Sequence, residues 1–205
     1  MASPLDALAS GGASILGRPL SDSELQSFDK YLNLLQKWQK SQRLIGSSDA
    51  RWIVDNLFLD SLLFLKVLPP TIASLADVGS GAGLPGIPIK VVRPQWRVVL
   101  IESRAKRASF LSAAVRELGL RETAVVRSRA EDYAVDNPRS VDAVAMRCAG
   151  DFREIAIATG RLVVSGGVVV ASGPPSAKPL DPGEWVEIPG INRRGDRRFA
   201  VYRVK

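Results

Sequence analysis

Leu75-Ala76-Asp77-Val78 is a short apolar segment carrying one carboxylate, and Gly79-Ser80-Gly81-Ala82-Gly83-Leu84-Pro85-Gly86 follows it directly. Glycines at alternate positions permit a tight turn and let a ligand lie against bare backbone at the carboxyl edge of a sheet. The flanking pattern supports such a sheet. Ala73–Val78 reads as a strand, Gly83–Val92 as a helix and Trp96–Ile101 as a second strand. Ser103 is placed to cap a helix running through Leu118, with Gly119 supplying the left-handed residue at its end. Ala124–Ser128, Val141–Met146 and Val168–Ser172 are further strands, with a helix over Phe152–Val164. Trp185–Ile188 and Arg198–Val204 pair as a hairpin across Asn192–Asp196. Strand–helix alternation ending in an antiparallel hairpin predicts an α/β fold, a mostly parallel Rossmann-like sheet with helices on both faces.

Upstream of the sheet the periodicity is helical. Ser21-x-x-Glu24 is a capping box, followed by Leu25, Phe28, Leu32, Leu35 and Trp38 on one face. A second helix is expected from Ser48 to Leu68, stopped by Pro69-Pro70. The division expected is a flexible N-terminus over 1–20, a helical extension over 21–70 and the sheet domain over 71–205. Trp38, Trp52 and Trp96 are expected in the core.

Composition narrows the chemistry. With 205 residues, 46% hydrophobic and 24% charged, the chain has the composition of a globular protein able to bury a core. It contains no histidine, which excludes Ser-His-Asp and Cys-His catalysis and imidazole as a general base. Its one cysteine, Cys148, allows no internal disulfide and no cysteine-rich zinc site, and no metal is expected. The net charge of +7 is unevenly spread. Ser103 to Arg129 carries seven Lys/Arg against two Glu, and Trp185 to Lys205 carries six against one Glu and one Asp. Such segments suit a polyanionic partner. No apolar run approaches the eighteen or so residues of a membrane span. Met1 to Gly17 has no basic residue, so neither a secretory signal nor a membrane partner is expected, and the location expected is the cytoplasm.

Two loop chemistries compete for the glycines. Gly81-x-Gly83-x-x-Gly86 matches the dinucleotide fingerprint, but there the first glycine follows the strand directly, and here Gly79 holds that place. The acidic-x-Gly-x-Gly-x-Gly order from Asp77 to Gly83 is instead that of S-adenosylmethionine-dependent methyltransferases. Asp77 then orders the loop or reaches the methionine amino group through water. Glu102 ends the second strand, where a carboxylate can accept both ribose hydroxyls; the other reading is a charge favourable to a helix dipole. Arg129-Ala130-Glu131 follows the third strand, where adenine is enclosed, although Glu131 equally suits a helix start. Arg147-Cys148-Ala149 ends the fourth strand, facing the transferable methyl. Cys148 lacks the Pro-Cys context of pyrimidine-C5 nucleophiles and reads as a packing residue. No Asp/Asn-Pro-Pro-aromatic motif follows that strand, which argues against an exocyclic amine as acceptor.

From about Leu25 to Val204 the chain resembles the bacterial small-subunit ribosomal RNA guanine-N7 methyltransferases, once called glucose-inhibited division protein B. The resemblance is carried by Tyr31-Leu-Asn-Leu-Leu-Gln-Lys-Trp38, Leu59-Asp60-Ser61 and Asp77-Val-Gly-Ser-Gly-Ala-Gly-Leu-Pro-Gly-Ile-Pro-Ile89 with Arg93-Pro94. Further carriers are Glu102-Ser103-x-x-Lys106-Arg107-x-x-Phe110-Leu111, Ser128-Arg129-Ala130-Glu131, Arg147 and Gly195-Asp196-Arg197. It implies a seven-stranded class I methyltransferase sheet with a helical N-terminal extension. It also implies S-adenosyl-L-methionine contacts at Asp77, Gly79, Ser80, Gly81, Gly83, Leu84, Glu102, Ser103, Ala130, Glu131 and Arg147. Arg147 is then the catalytic-face arginine, and Lys106, Arg107, Arg197 and Arg198 are phosphate contacts. The partner implied is 16S ribosomal RNA or the small ribosomal subunit, approached by a monomer. Four positions depart from the family's usual residues: Arg43, Leu57, Ser172 and Arg198 stand where it has Asn, His, Lys and His. Arg43 and Arg198 can replace lost contacts, since arginine binds phosphate or stacks on a base. Another RNA, a small-molecule acceptor and a cofactor-sensing RNA-binding module remain open alternatives.

Overall fold

The computed structural model describes residues 3–147, 152–173, 180–191 and 195–205. Residues 1–20, expected to be flexible, instead contain a helix, α1 (Pro4–Leu16), opened by a reciprocal Ser3/Asp6 cap. Within this helix Gly11 and Gly12 form a packing surface. A Cβ at Gly11 would lie 2.6 Å from Leu59 Cδ1, and one at Gly12 2.6 Å from Leu20 Cδ1. Closely apposed backbone needs residues without side chains, so the same composition that loosens a coil here tightens a helix contact.

The predicted capping box stands: Ser21 Oγ accepts from Glu24 N and Glu24 returns the bond to Ser21 N, opening α2 (Asp22–Gln42). The helix expected over 48–68 is not uniform. Asp49 caps α3 (Ala50–Ile53), a wide π turn follows over Val54–Phe58, then α4 (Leu59–Leu62) and a tight turn over Leu63–Lys66. A π turn inserts a residue and rotates the face presented by the next turn by roughly 100°. Leu57 and Phe58 are therefore buried together with Asp60 and Ser61. Trp52, expected inside, is 36% exposed, whereas Trp96 is buried and Trp38 packs edge-on against Phe110.

The sheet comprises β1 (Ser74–Val78), β2 (Arg97–Ile101), β3 (Thr123–Val126), β4 (Val141–Arg147), β5 (Val163–Ser172), β6 (Glu184–Ile188) and β7 (Arg197–Arg203). The helices between them are α5 (Gly86–Val92), α6 (Ala105–Glu117), α7 (Ala130–Asp136) and α8 (Phe152–Gly160). Spatial order is β3-β2-β1-β4-β5-β7-β6. β1 to β5 run parallel, and β7 lies antiparallel between β5 and β6. The strand order reverses between β1 and β4, the position where open α/β sheets form their ligand crevice.

Alternation along the strands divides the core in two. Leu75, Val98, Leu100, Ala145 and Val170 join one cluster with α1, α2, α5 and α6. Ala76, Val99, Val144, Met146 and Val169 join the other, under α7 and α8. Several boundaries differ from expectation: α5 begins at Gly86 rather than Gly83, and β3 ends at Val126 rather than Ser128. α8 stops at Gly160, and the β-branched Val163-Val164 open a longer β5. Ser103 does not cap α6: Arg104 holds the cap position with no side-chain bond, while Gly119 is left-handed as predicted, at φ 62°. Cys148 and residues 192–194 of the hairpin turn lie outside the described residues. Among the described residues no helix is long and apolar enough to cross a membrane.

Candidate functional site

At the carboxyl end of β1 the chain turns through Gly79, Gly81 and Gly83, with φ of 67°, 59° and 88°. These are left-handed values that β-carbon-bearing residues rarely adopt. Ser80 N donates to Ile101 O at 3.0 Å, and Gly83 N and Leu84 N both donate to Ser80 O, so the turn folds back on β2. Asp77 lies fully buried beneath it and accepts from Gly86 N at 2.9 Å through Oδ2. A Cβ on Gly86 would sit 2.5 Å from Leu100 Cδ2 and 2.7 Å from that carboxylate oxygen. Only glycine lets the first turn of α5 come this close.

Two outside groups fix the loop from above. Glu102, 5% exposed, accepts from Gly81 N at 3.0 Å and from Arg104 N at 2.8 Å, one bond to each oxygen. Each oxygen keeps a second lone pair for a ligand. From α2, the Tyr31 hydroxyl donates to the Ala82 carbonyl, and its ring stacks on Phe58 at 5.1 Å. The helical extension thus packs directly onto the glycine loop.

A cavity of about 350 Å³ opens over this edge of the sheet. Of the predicted contacts, Gly79, Glu102, Ser103, Ala130, Glu131 and Arg147 line it. Asp77, Ser80, Gly81, Gly83 and Leu84 are brought together in the loop beside it without lining it. Arg107, expected on RNA, lines the cavity as well, 4.0 Å from Glu102. Met146 from β4, and Ile155 and Thr159 from α8, complete one wall and were not anticipated. Thr159 carried a signal: it is a hydroxyl on the stripe that α8 buries with Phe152, Ala156 and Gly160. Glu131 lies in the first turn of α7, so both of its proposed positions, cavity wall and helix start, hold at once.

The other cations separate into exposed and paired. Lys106 is exposed at the start of α6, and Arg43 is exposed in the left-handed residue that ends α2. Arg198, expected as a phosphate contact, pairs with Glu187 across the hairpin at 2.5 Å. Arg197 turns inward to Asp60, its Nε 2.6 Å from Oδ1 and its Nη2 3.2 Å from Oδ2. Arg147 meets the same carboxylate, with Nη2 3.4 Å from Oδ2 and 3.3 Å from the Asn56 carbonyl. Asp60, 3% exposed on α4, thus joins two arginines from two different strands. Burial lowers the Arg147 guanidinium from its ordinary value, and Asp60 opposes that shift. Sequence reasoning gave Asp60 no role, although a carboxylate inside Phe58-Leu59-Asp60-Ser61-Leu62 has to find a partner. Among the described residues no cluster of three or more His, Cys, Asp or Glu could hold a metal.

Burial raises the Asp77 carboxyl to about 6, against the nearby Ser80 hydroxyl, the hydrogen bond from Gly86 N and the charge of Arg147; Glu102 adds to the rise. The folded state therefore binds this proton more tightly than the unfolded chain does. Its stabilising contribution is complete below pH 4 and is lost as the pH climbs through about 6. In Asp77→Asn that pH dependence is expected to vanish. Urea denaturation of both proteins between about pH 4 and 7 should show their stability difference moving by up to about 3 kcal/mol in favour of the variant. A constant difference across that range would mean that Asp77 is ionised throughout.

Comparison with known proteins agrees with this geometry. The family model described as rRNA small subunit methyltransferase G (GidB) matches residues 24–174. A protein of Xanthomonas oryzae pv. oryzae named ribosomal RNA small subunit methyltransferase G is 36% identical over 186 residues, covering 85% of this chain and 84% of that one. The crystal structure of cofactor-bound Rv0187 from MTB superposes with a TM-score of 0.62 at 18% identity, covering 98% of this chain and 97% of that one. That of precorrin-6Y C5,15-methyltransferase from Geobacter metallireducens gives 0.50 at 18% identity, covering 80% and 92%. At such identities the solved structures establish the fold, and the sequence match establishes the family. The chain belongs to the GidB family of rRNA small subunit methyltransferase G proteins.

Proposed function

We propose that this protein transfers a methyl group from S-adenosyl-L-methionine to N7 of a guanine in the 16S RNA of the small ribosomal subunit. The observation that carries the reading is the pairing of the glycine loop and Glu102 with a reacting edge that presents Arg147, in a chain that contains no histidine. The residues fit the cofactor. Gly79 offers backbone without a side chain, and Glu102 holds spare lone pairs at the end of β2 for ribose hydroxyls. Ala130 and Glu131 enclose the neighbouring space, and Asp77 Oδ1 is buried with no partner beneath the loop.

When bound, the cofactor supplies a methyl on a sulfonium: the N7 lone pair forms the new N–C bond as the S–C bonding pair returns to sulfur. N7 carries no proton, so no residue has to remove one, and the absence of histidine is no obstacle. The protein's work is positioning. Glu102 and Tyr31 hold the loop, while Arg147, anchored by Asp60 and the Asn56 carbonyl, orients the acceptor. The purine gains positive charge in the reaction, so the arginines serve best on phosphate or on guanine O6 rather than at N7 itself. Lys106 and Arg43, exposed beyond the cavity, extend the basic surface along the RNA backbone.

The test is transfer of tritiated methyl from S-adenosylmethionine to small subunits lacking N7-methylguanine, with chemical cleavage at any methylated guanine. Label on guanine N7 is the expected result. No label from a preparation that binds the cofactor would turn the assignment toward another acceptor or a non-catalytic module.

A further inference from the structure

We propose that Asp60 is a positioning residue that holds Arg147 and Arg197 as one clamp for a single phosphodiester of the RNA, on the reading of the site as an RNA methyltransferase. The starting point is the direct pairing. One buried carboxylate, Asp60, pairs with two guanidinium groups, so these three side chains together carry one net positive charge, while the buried Asp77 carboxyl acts on Arg147 from beneath the loop. Asp60 is itself 3% exposed, whereas the two arginine side chains are each 29% exposed, so the excess charge sits on the solvent side. The Arg147 Nη1 group is buried, has no partner, and belongs to a residue that lines the cofactor cavity. A desolvated guanidinium donor left open beside a ligand cavity marks a place for an anion.

The geometry limits what that anion is. Arg197 donates from Nη2 to Asp60 Oδ2 and holds Nε in ion-pair distance of Oδ1, and Arg147 donates from Nη2 to Asn56 O while lying 3.4 Å from Asp60. Each fork is tied on one side, and the free donors of both belong to planes fixed by the same carboxylate. A monoanionic phosphodiester balances the single excess charge. A dianionic phosphate monoester overbalances it, and a neutral base leaves it uncompensated. A phosphate here also keeps both cations away from a purine that is itself becoming cationic. Asp60 comes from the helical extension, Arg147 from β4 and Arg197 from β7, so the clamp exists only when all three are docked.

The decisive measurement is RNA affinity as a function of salt. Small-subunit RNA binding is followed for the wild type, Arg147→Gln, Arg197→Gln and the double variant. Each single variant is expected to make the log–log slope shallower by about 0.7–0.9, the signature of one phosphate contact. The double variant should show the same single step, because both arms hold one phosphate. Two steps in the double variant, or none in a single variant, overturns the shared site. The role of Asp60 is read separately. Asp60→Asn, with cofactor affinity held within about threefold as the check of fold, is expected to raise KM for subunits by about tenfold or more. Where Asp60→Asn loses cofactor affinity, Asp60→Glu decides, since it keeps the charge but shifts it by one methylene; the same rise in KM is expected. Wild-type KM in the deciding variant overturns the positioning role. Failure of the methyltransferase reading looks different: the wild type binds RNA but transfers no methyl. The salt slopes remain measurable in that case, with Asp60→Asn or Asp60→Glu then expected to show the same single-phosphate step.

Discussion

Arg147→Ala should lower turnover on small ribosomal subunits about a hundredfold while leaving S-adenosylmethionine affinity within about threefold, the size of loss expected when reacting groups drift by an ångström or so. The protein should survive the change. Asp60 retains Arg197 at 2.6 Å as its counter-ion, so no buried charge is stranded. The cofactor loop is untouched, because its fixed points are Glu102, Asp77 and Tyr31 rather than Arg147. The variant loses the guanidinium that bridges the extension, through Asn56 O and Asp60, to the mouth of the cavity. Single-turnover methyl transfer at saturating cofactor, beside equilibrium dialysis, separates the two effects. Turnover at the wild-type rate would remove Arg147 from the reaction.

Glu102→Ala acts at the other end of the site and should be the more damaging substitution. It deletes the acceptor of two backbone N–H groups, Gly81 in the loop and Arg104 before α6, together with the lone pairs proposed for the ribose. Hydrogen bonds to a charged acceptor contribute about 1.5–3 kcal/mol each, and the Gly81 donor is buried. A stability loss of about 2–4 kcal/mol is expected by urea denaturation, with cofactor affinity down by about a hundredfold or more. Glutamine is no remedy. Its amide presents one oxygen and one NH₂ group to two N–H donors, so one of them must face another donor. Glu102→Gln should therefore sit near Glu102→Ala in both measurements. Wild-type cofactor affinity in either variant would leave Glu102 with the loop-tethering role alone.

How legible the site was depended on how local its physics is. The β1–loop–β2 unit could be read because its glycines, its carboxylates and its strand register all lie within thirty residues or so of sequence. β7 and β6 were readable as a hairpin, since alternation is also local. α1 was not: Gly11 and Gly12 are ambiguous until Leu59 and Leu20 are known to lie against them. The π turn at Val54–Phe58 was hidden too, because its departure from ordinary helix leaves no mark in composition. Ser103 suited a cap by type, yet the backbone places Arg104 there and leaves Ser103 facing the cavity. Arg197 and Arg198 are neighbours of one residue type with opposite surroundings, one turned to buried Asp60 and one to Glu187 at the surface. Strand alternation predicts that they diverge, but not which carboxylate each will meet.

The placement of β7 between β5 and β6 sets an order of assembly during synthesis. β7 follows β6 in the chain yet lies inside the sheet, so β6 has no edge to join until residues 197–203 have been translated. The same event brings Arg197 to Asp60 across 137 residues of chain. Closing a loop of that length is entropically slow beside the local pairings of β1 to β4. A nascent chain can thus fold its cofactor loop early, while the charge arrangement at Asp60 waits for β7. The loop that would hold the cofactor and the carboxylate pairing at Asp60 are therefore completed at different stages of chain growth.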